Sequence, residues 1–464
     1  MTGGLLRGPS GLGWPGIVRL GLVQAALGAI VVLTTSTLNR VMIVEYSLAA
    51  VVPGLLVAFH YAVQMVRPRF GHGSDVGGNR TRWIVGGMAV LAVGSTLAAA
   101  ATAMLGTDRA LGLALAVVAY ALIGLGVGAA GTSLLVLMAQ KVAPARRAPA
   151  ATTMWIMMIF GFAVTSALAG HFLDPFTPAR LVEVSAVTST IAFVVALVAI
   201  RGLERSASAA PPAATPPGTD FRAALREVWA DGTARRFTVF VFASMLAYAA
   251  QDLIMEPFAG LVFGMSPGES TQLSGLQHGA TMLGMIAVAL FAGSRSAGPG
   301  KLPRIGSLRV WIVGGCAVSA LALVALALVG PSGSLGALRA SIFVLGVSNG
   351  AFAVAAIGSM MELAGRNRDG RDGMRMGLWG AAQAIAFALG GLIGAAAVDV
   401  ARQLVGAPVA AYGLVFALEG LLFLASARMA ATLDTLGTAR AHGRVTPAPT
   451  PELALAPAPT SERR

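Results

Sequence analysis

Charge is scarce in this sequence: Asp, Glu, Lys and Arg make up 11% of its 464 residues, about half the share of a soluble globular chain. So few charged groups cannot clothe a water-facing surface of this size, which excludes an ordinary soluble fold. Cysteine is nearly absent as well. Cys316 stands alone inside an apolar run, so no disulfide framework is available and the redox compartment is not revealed. The sequence also lacks a metal-ligating cluster, a nucleophile elbow and a phosphate-binding loop. The string Gly124-Leu-Gly-Val-Gly128 lies inside an apolar stretch with no strand before it, which removes the nucleotide reading. No catalytic residue, metal site or nucleotide site is therefore expected.

What is abundant is hydrocarbon. Apolar residues make up 56% of the chain and the mean hydropathy is +0.77. Runs of about 20 apolar residues recur between Ile17 and Ala427, enough for about twelve spans of a core about 30 Å thick. The expected spans are residues 17–38, 49–66, 83–105, 111–139, 152–172, 181–200, 237–258, 273–292, 310–329, 338–363, 376–398 and 409–427. The first ends at Asn39-Arg40. This is an all-α multi-pass membrane protein with a short N-terminus (1–16), a six-helix half (17–200), a linker (201–236), a second six-helix half (237–430) and a tail (431–464). Within the linker, Ser206 to Thr219 is almost all Ala, Pro, Ser, Thr and Gly and should be flexible. Phe221, Ala224, Leu225, Val228 and Trp229 then recur with helical period, as in a helix lying on a membrane surface. Beyond Arg440 the Pro-, Ala- and Thr-rich tail reads as disordered.

A net charge of +13 alone would suit nucleic acid, but position matters more. Of the 33 Lys and Arg, only Arg40, Arg109, Arg180, Arg339 and Arg402 fall outside the N-terminus, the even-numbered loops and the tail. That asymmetry puts both termini in the cytoplasm. The lipid bilayer, through its anionic inner leaflet, is then the partner of the basic charge, and no nucleic acid is implied. The Gly- and Pro-rich start carries Arg7 and Arg19 and no small-residue cleavage site, so it reads as no removable signal peptide.

An internal repeat supports the same division without using hydropathy. Trp83-Ile-Val-Gly-Gly-Met-Ala-Val90 returns as Trp311-Ile-Val-Gly-Gly-Cys-Ala-Val318, with seven of eight positions identical. Gly124 and Gly128 return as Gly346 and Gly350, and Trp155, Gly170 and Asp174 return as Trp379, Gly394 and Asp399. Offsets of 222 to 228 in register mark two duplicated halves. The glycine pairs at GxxxG spacing, Gly124/Gly128, Gly346/Gly350 and Gly390/Gly394, are expected to let helix backbones approach closely.

The polar turn between spans two and three reads Arg67-Pro-Arg-Phe-Gly-His-Gly-Ser-Asp75-Val-Gly-Gly-Asn-Arg80. The order Gly71, Asp75, Gly78, Arg80 resembles the loop between helices two and three of major facilitator superfamily transporters, except that Val76 stands where that family usually has a basic residue. The resemblance implies a major facilitator fold, with Asp75 and the nearby arginines latching neighbouring helices in one conformation of a rocking cycle.

Polar groups inside spans are costly and usually face a cavity or another helix. His60 and His278 occupy equivalent spans of the two halves, and Gln64 shares a helix face with His60. Each imidazole could relay a proton, coordinate a metal-bearing ligand or bond a neighbouring helix. His171 is expected to form a surface pair with Asp174. Asp252 and Glu256 read as solvated groups near the outer end of span seven. Glu419 is the deepest carboxylate. Gln24, Asn349 and Gln383 read as interhelical hydrogen-bond partners.

The segments Thr34-Thr-Ser-Thr-Leu-Asn-Arg-Val-Met-Ile-Val-Glu45, Pro53-Gly-Leu-Leu-Val-Ala-Phe-His-Tyr-Ala-Val-Gln64 and Arg67 to Asp75 resemble the PucC and LhaA family of phototrophic bacteria. The likeness extends over roughly residues 15 to 430. It implies a non-enzymatic light-harvesting complex assembly factor in the intracytoplasmic photosynthetic part of the bacterial inner membrane. Its cargo would be bacteriochlorophyll, and its partners antenna polypeptides and the pigment's synthase. Asn39, Arg40, His60, Gln64, His278 and Glu419 are the candidate pigment or cavity-lining residues, and the Gly390/Gly394 surface is a candidate docking face for antenna helices. Two alternatives remain open. One is a proton-coupled small-molecule transporter using Arg40, Glu45, Asp252 and Glu419. The other is an accessory subunit of bacteriochlorophyll synthesis, against which stands the lack of an aspartate-rich prenyl-diphosphate site.

Overall fold

Backbone polar groups in hydrocarbon must be satisfied within their own segment, so long apolar runs become helices. The computed structural model describes residues 11–66, 79–143, 146–204, 226, 229–292, 305–364 and 372–432. In these residues the helices are α1 (Trp14–Val44), α2 (Val51–Val66), α3 (Arg80–Met104), α4 (Arg109–Lys141), α5 (Arg147–Leu173), α6 (Pro178–Ile200), α7 (Gly232–Phe263), α8 (Pro267–Phe291), α9 (Leu308–Ser332), α10 (Leu335–Ala364), α11 (Asp372–Val405) and α12 (Pro408–Ala431). All but α2 are long and apolar enough to cross a membrane; α2 is a shorter apolar helix. The chain is a multi-pass membrane protein with a major facilitator fold. The Ala/Pro-rich linker, most of the amphipathic segment and the tail lie outside the described residues.

The helix starts follow local chemistry. Asp108 accepts the Leu111 N–H, Thr177 accepts the Arg180 N–H just before Pro178, and Ser266 with Glu269 forms a reciprocal capping box ahead of α8. Gly264 and Gly333 close α7 and α9 in the left-handed conformation, which costs glycine little.

Helices α1 to α6 pack around Ile17, Leu20, Met88, Leu91, Tyr120 and Leu134, and α7 to α12 around a Phe-rich core that includes Phe237, Phe258, Phe352, Trp379 and Phe416. The two halves meet along α2 with α11, α5 with α8, and α1 with α7. Small residues set the close approaches. A side chain at Gly124 would meet the His60 carbonyl of α2 at 2.6 Å, and one at Gly346 the Gln277 carbonyl of α8 at 2.5 Å. Gly350 lies against Thr281 of α8, and Gly128 is buried. Gly390 and Gly394 pack on α7, where a Cβ would stand 2.7 Å from the Leu246 carbonyl and 2.6 Å from the Ala250 carbonyl. That face is consumed by packing within the second half, which corrects its reading as a docking face for antenna helices.

A second correction concerns α1. The first span was expected to end at Asn39-Arg40, yet the helix continues to Val44 and carries both residues inside. Arg40 is 2% exposed. The extension is stable because the polar side chains find partners in the opposite half instead of water.

Candidate functional site: a polar seam between the halves

Within α1, residues Leu33–Thr37 form a π-helical turn, a wider winding that recurs at functional positions. The Thr34 carbonyl at this turn accepts a 2.7 Å bond from the Tyr120 hydroxyl of α4. The turn faces α7 and α8. There Glu256, 1% exposed, takes 2.6 Å bonds from the hydroxyls of Ser36 and Ser274 on one carboxylate oxygen and a 3.4 Å bond from Thr271 on the other. Thr37 and Thr271 share a further bond of 3.1 Å across the seam. Three hydroxyls drawn from α1 and α8 thus converge on one carboxylate of α7. The expectation that Glu256 is solvated is overturned. Helix α7 runs to Phe263, beyond the expected end at 258, so Glu256 sits deeper, and both flanking helices supply donors.

One turn further along α1, Asn39 donates a 2.6 Å bond to the Leu253 carbonyl of α7. That carbonyl is available because Pro257 lies four residues on and has no N–H to give it. Arg40 pairs with Glu45 and donates a 2.6 Å bond to the Met265 carbonyl.

Two further carboxylates join the halves, and the repeat relates them. Asp399, on α11, accepts the N–H groups of Ala50 and Val51 at the start of α2, at 3.0 and 2.8 Å. Asp174, just past α5, accepts the Ser266 hydroxyl at 2.8 Å and the Gly268 N–H at 3.3 Å at the start of α8. Each negative group sits at the positive end of a helix in the other half. His171 is exposed and its ring contacts Phe172, so Asp174 serves the α8 cap and not the expected surface pair. All these bonds fall in the part of the bundle away from the chain termini, which closes the seam on that side.

The other predicted residues are spread along the seam. His60 is buried, its Nδ1 lies 2.6 Å from the Val57 carbonyl, and its backbone is in contact with Gly124. Gln64 is buried at the foot of α2. His278 is buried, edge-on to Phe162 of α5 at 5.1 Å, and its Nδ1 has no hydrogen-bond partner among the described residues. The two imidazoles therefore line different interfaces and form no common site. Glu419 is 5% exposed with neither oxygen bonded among the described residues, and Asp252 of α7 is a neighbouring carboxyl. Fully buried Gln251, which sequence reasoning did not single out, has an amide without hydrogen-bond partners among the described residues. Half-buried Tyr61, Phe387 and Tyr248 form a ring series across the halves: Tyr61 stacks on Phe387 at 6.4 Å, and Phe387 meets Tyr248 edge-on at 5.9 Å.

On the side of the termini, Gly71, Asp75 and Gly78 of the latch motif lie outside the described residues, and Arg80 is buried at the start of α3. Glu204, after α6, caps this helix: its oxygens accept the Arg80 and Thr81 N–H groups, each at 2.9 Å, and the Thr81 hydroxyl at 2.6 Å. Partial burial pushes the Glu204 pKa up, but the bonds from Thr81 and Arg80 and the charge of Arg80 outweigh it and hold the carboxyl below its usual value. A lowered folded-state pKa gives stability that is full above the unfolded value of about 4.5 and fades as pH falls through the lower folded one. Melting of the detergent-solubilised protein between pH 7 and pH 3 should therefore show a loss below about pH 4.5 that Glu204→Gln diminishes. An identical acid profile for the two proteins would contradict this role.

Known proteins share this architecture. The family model for PUCC protein matches residues 37–437. The chain belongs to the PucC family. It is 52% identical over 419 residues to the bacteriochlorophyll synthase 44.5 kDa chain of Rhodobacter capsulatus, covering 90% of this chain and 95% of that one. It is 29% identical over 440 residues to Protein PucC of Cereibacter sphaeroides, covering 88% and 90%. Among solved structures it resembles one from a study of substrate recognition in proton-dependent oligopeptide transporters (TM-score 0.64, 15% identity, 90% of this chain and 98% of that one). It also resembles a bacterial homologue of the human lysosomal transporter Spinster (TM-score 0.57, 16% identity, 90% and 94%). At such identities these likenesses concern the fold alone.

Proposed function

We propose that this PucC-family protein is a non-enzymatic assembly factor that holds bacteriochlorophyll in the seam between its halves and passes it to antenna polypeptides. It would act in the photosynthetic inner membrane with both termini in the cytoplasm. The observation that carries the reading is the ring series Tyr61, Phe387 and Tyr248, set between α2, α11 and α7. Half-buried aromatic faces suit a flat conjugated macrocycle, and one edge of the series belongs to each half. The relationship to a chain named for bacteriochlorophyll synthase supports a pigment-related role. His278, at the α5–α8 side of the seam beside Phe162, has a ring nitrogen with no hydrogen-bond partner among the described residues and is an imidazole available to ligate a chlorin magnesium.

The test is the absorption spectrum of the gently solubilised protein from a phototrophically grown host. A near-infrared bacteriochlorophyll band at stoichiometric level is expected, reduced several-fold in Tyr61→Ala/Phe387→Ala and shifted in His278→Ala. No pigment in the preparation, together with normal antenna assembly in a deletion strain, would end the proposal. The relative's name favours a second reading, an accessory subunit of pigment synthesis. That reading requires the purified protein to change the rate of bacteriochlorophyllide esterification.

A further inference from the structure

The lipid-facing surface of α3 and α4 carries a groove of about 430 Å³ that the pigment reading does not use. Its walls are Gly86, Val90, Leu122 and Leu125, with Arg82 and Trp83 at the end nearest the chain termini. Gly86 explains the gap. Its neighbour Gly87 is needed for contact, since a Cβ there would stand 2.6 Å from the Ala130 backbone nitrogen of α4. Nothing lies within 4 Å of a Cβ at Gly86, so helix packing does not call for glycine, which weakens a helix interior. What the missing side chain does is leave the groove open.

At the mouth, the Arg82 guanidinium forms no ion pair or side-chain hydrogen bond with a described residue; only its backbone N–H is engaged, by Asn79. The first N–H groups of α3 are already taken by Glu204. Recognition of an anion here therefore falls to Arg82 itself. Trp83 is an interfacial residue by type and place. We propose that this groove is a binding site for one acyl chain of an anionic phospholipid from the leaflet on the side of the termini, with its headgroup on Arg82. A slot opened by one missing side chain fits a single hydrocarbon chain and is too narrow for a partner helix about 10 Å across.

The second half provides an internal control. Gly314, the repeat counterpart of Gly86, is equally unobstructed, but Val310 stands where Arg82 does. The experiment places the protein in phosphatidylcholine nanodiscs containing phosphatidylglycerol with a photoactivatable group in its acyl chain, and maps the labelled peptides. Labelling at residues 83–90 and 122–129 should exceed that from the matching phosphatidylcholine probe about five-fold, as one basic residue at a membrane surface allows. Arg82→Gln should equalise the probes. Gly86→Leu should abolish labelling at this face without lowering the melting temperature, whereas Gly314→Leu should change nothing there. Equal labelling by both probes in the unaltered protein, or unchanged labelling in Gly86→Leu, would overturn the proposal.

Discussion

An Asp174→Asn/Asp399→Asn double variant should release the side of the bundle away from the chain termini. Each carboxylate spans the two halves by accepting bonds at the first turn of a helix in the opposite half. Asparagine keeps one acceptor oxygen, turns a donor toward backbone N–H groups and removes the charge that the helix end attracts. Loss of a helix cap costs about 1 to 2 kcal/mol. The two clasps share no partner, so their effects should add to about 3 kcal/mol, a shift of about a hundredfold between closed and open seams. Spin labels at Thr107 and Ser334, exposed on loops of opposite halves, would report it. The double variant should add a longer-distance population, and each single variant a smaller one. Distance distributions identical to those of the unaltered protein would show that the clasps do not hold the seam.

That these carboxylates matter could be glimpsed in the sequence only as a repeat. Asp174 and Asp399 recur in register, but nothing along the chain says that each reaches a helix end in the other half, because those partners are 92 to 349 residues away. The apolar spans were legible because hydropathy is a property of each segment alone. The same holds for the helix caps, where Ser266 and Glu269 are three residues apart. Glu256 was misplaced because depth was counted along one helix, while its burial depends on hydroxyls brought by two others. Asn39 shows the same limit: Pro257 announces a carbonyl without its usual donor, but the donor comes from a helix 214 residues earlier in the chain. Glycine pairs announced close packing without saying against what, and Gly390 and Gly394 turned out to face α7.

Glu256→Ala should be among the most damaging single substitutions in the seam. The carboxylate is the common acceptor for Ser36, Ser274 and Thr271, all buried. Removing it takes the common acceptor from three buried hydroxyls, and only part of the loss can be recovered through the Ser36–Ser274 and Thr37–Thr271 contacts or carbonyls of their own helices. Leaving a buried donor unsatisfied costs about 1 to 3 kcal/mol, so a total near about 3 kcal/mol is expected after such rearrangement. Glu256→Gln should cost about 1 kcal/mol, because its carbonyl oxygen can still serve Ser36 and Ser274 while its amide faces Thr271, a hydroxyl able to accept. Thermal melting of the three proteins in one detergent checks the order. A cycle with Ser36→Ala checks the cause: if the hydroxyl acts through the carboxylate, Ser36→Ala should destabilise the unaltered protein but have little further effect once Glu256 is alanine. Full additivity would mean that Glu256 is held by something other than the α1 turn, and the π-helical winding would then lack the role assigned to it.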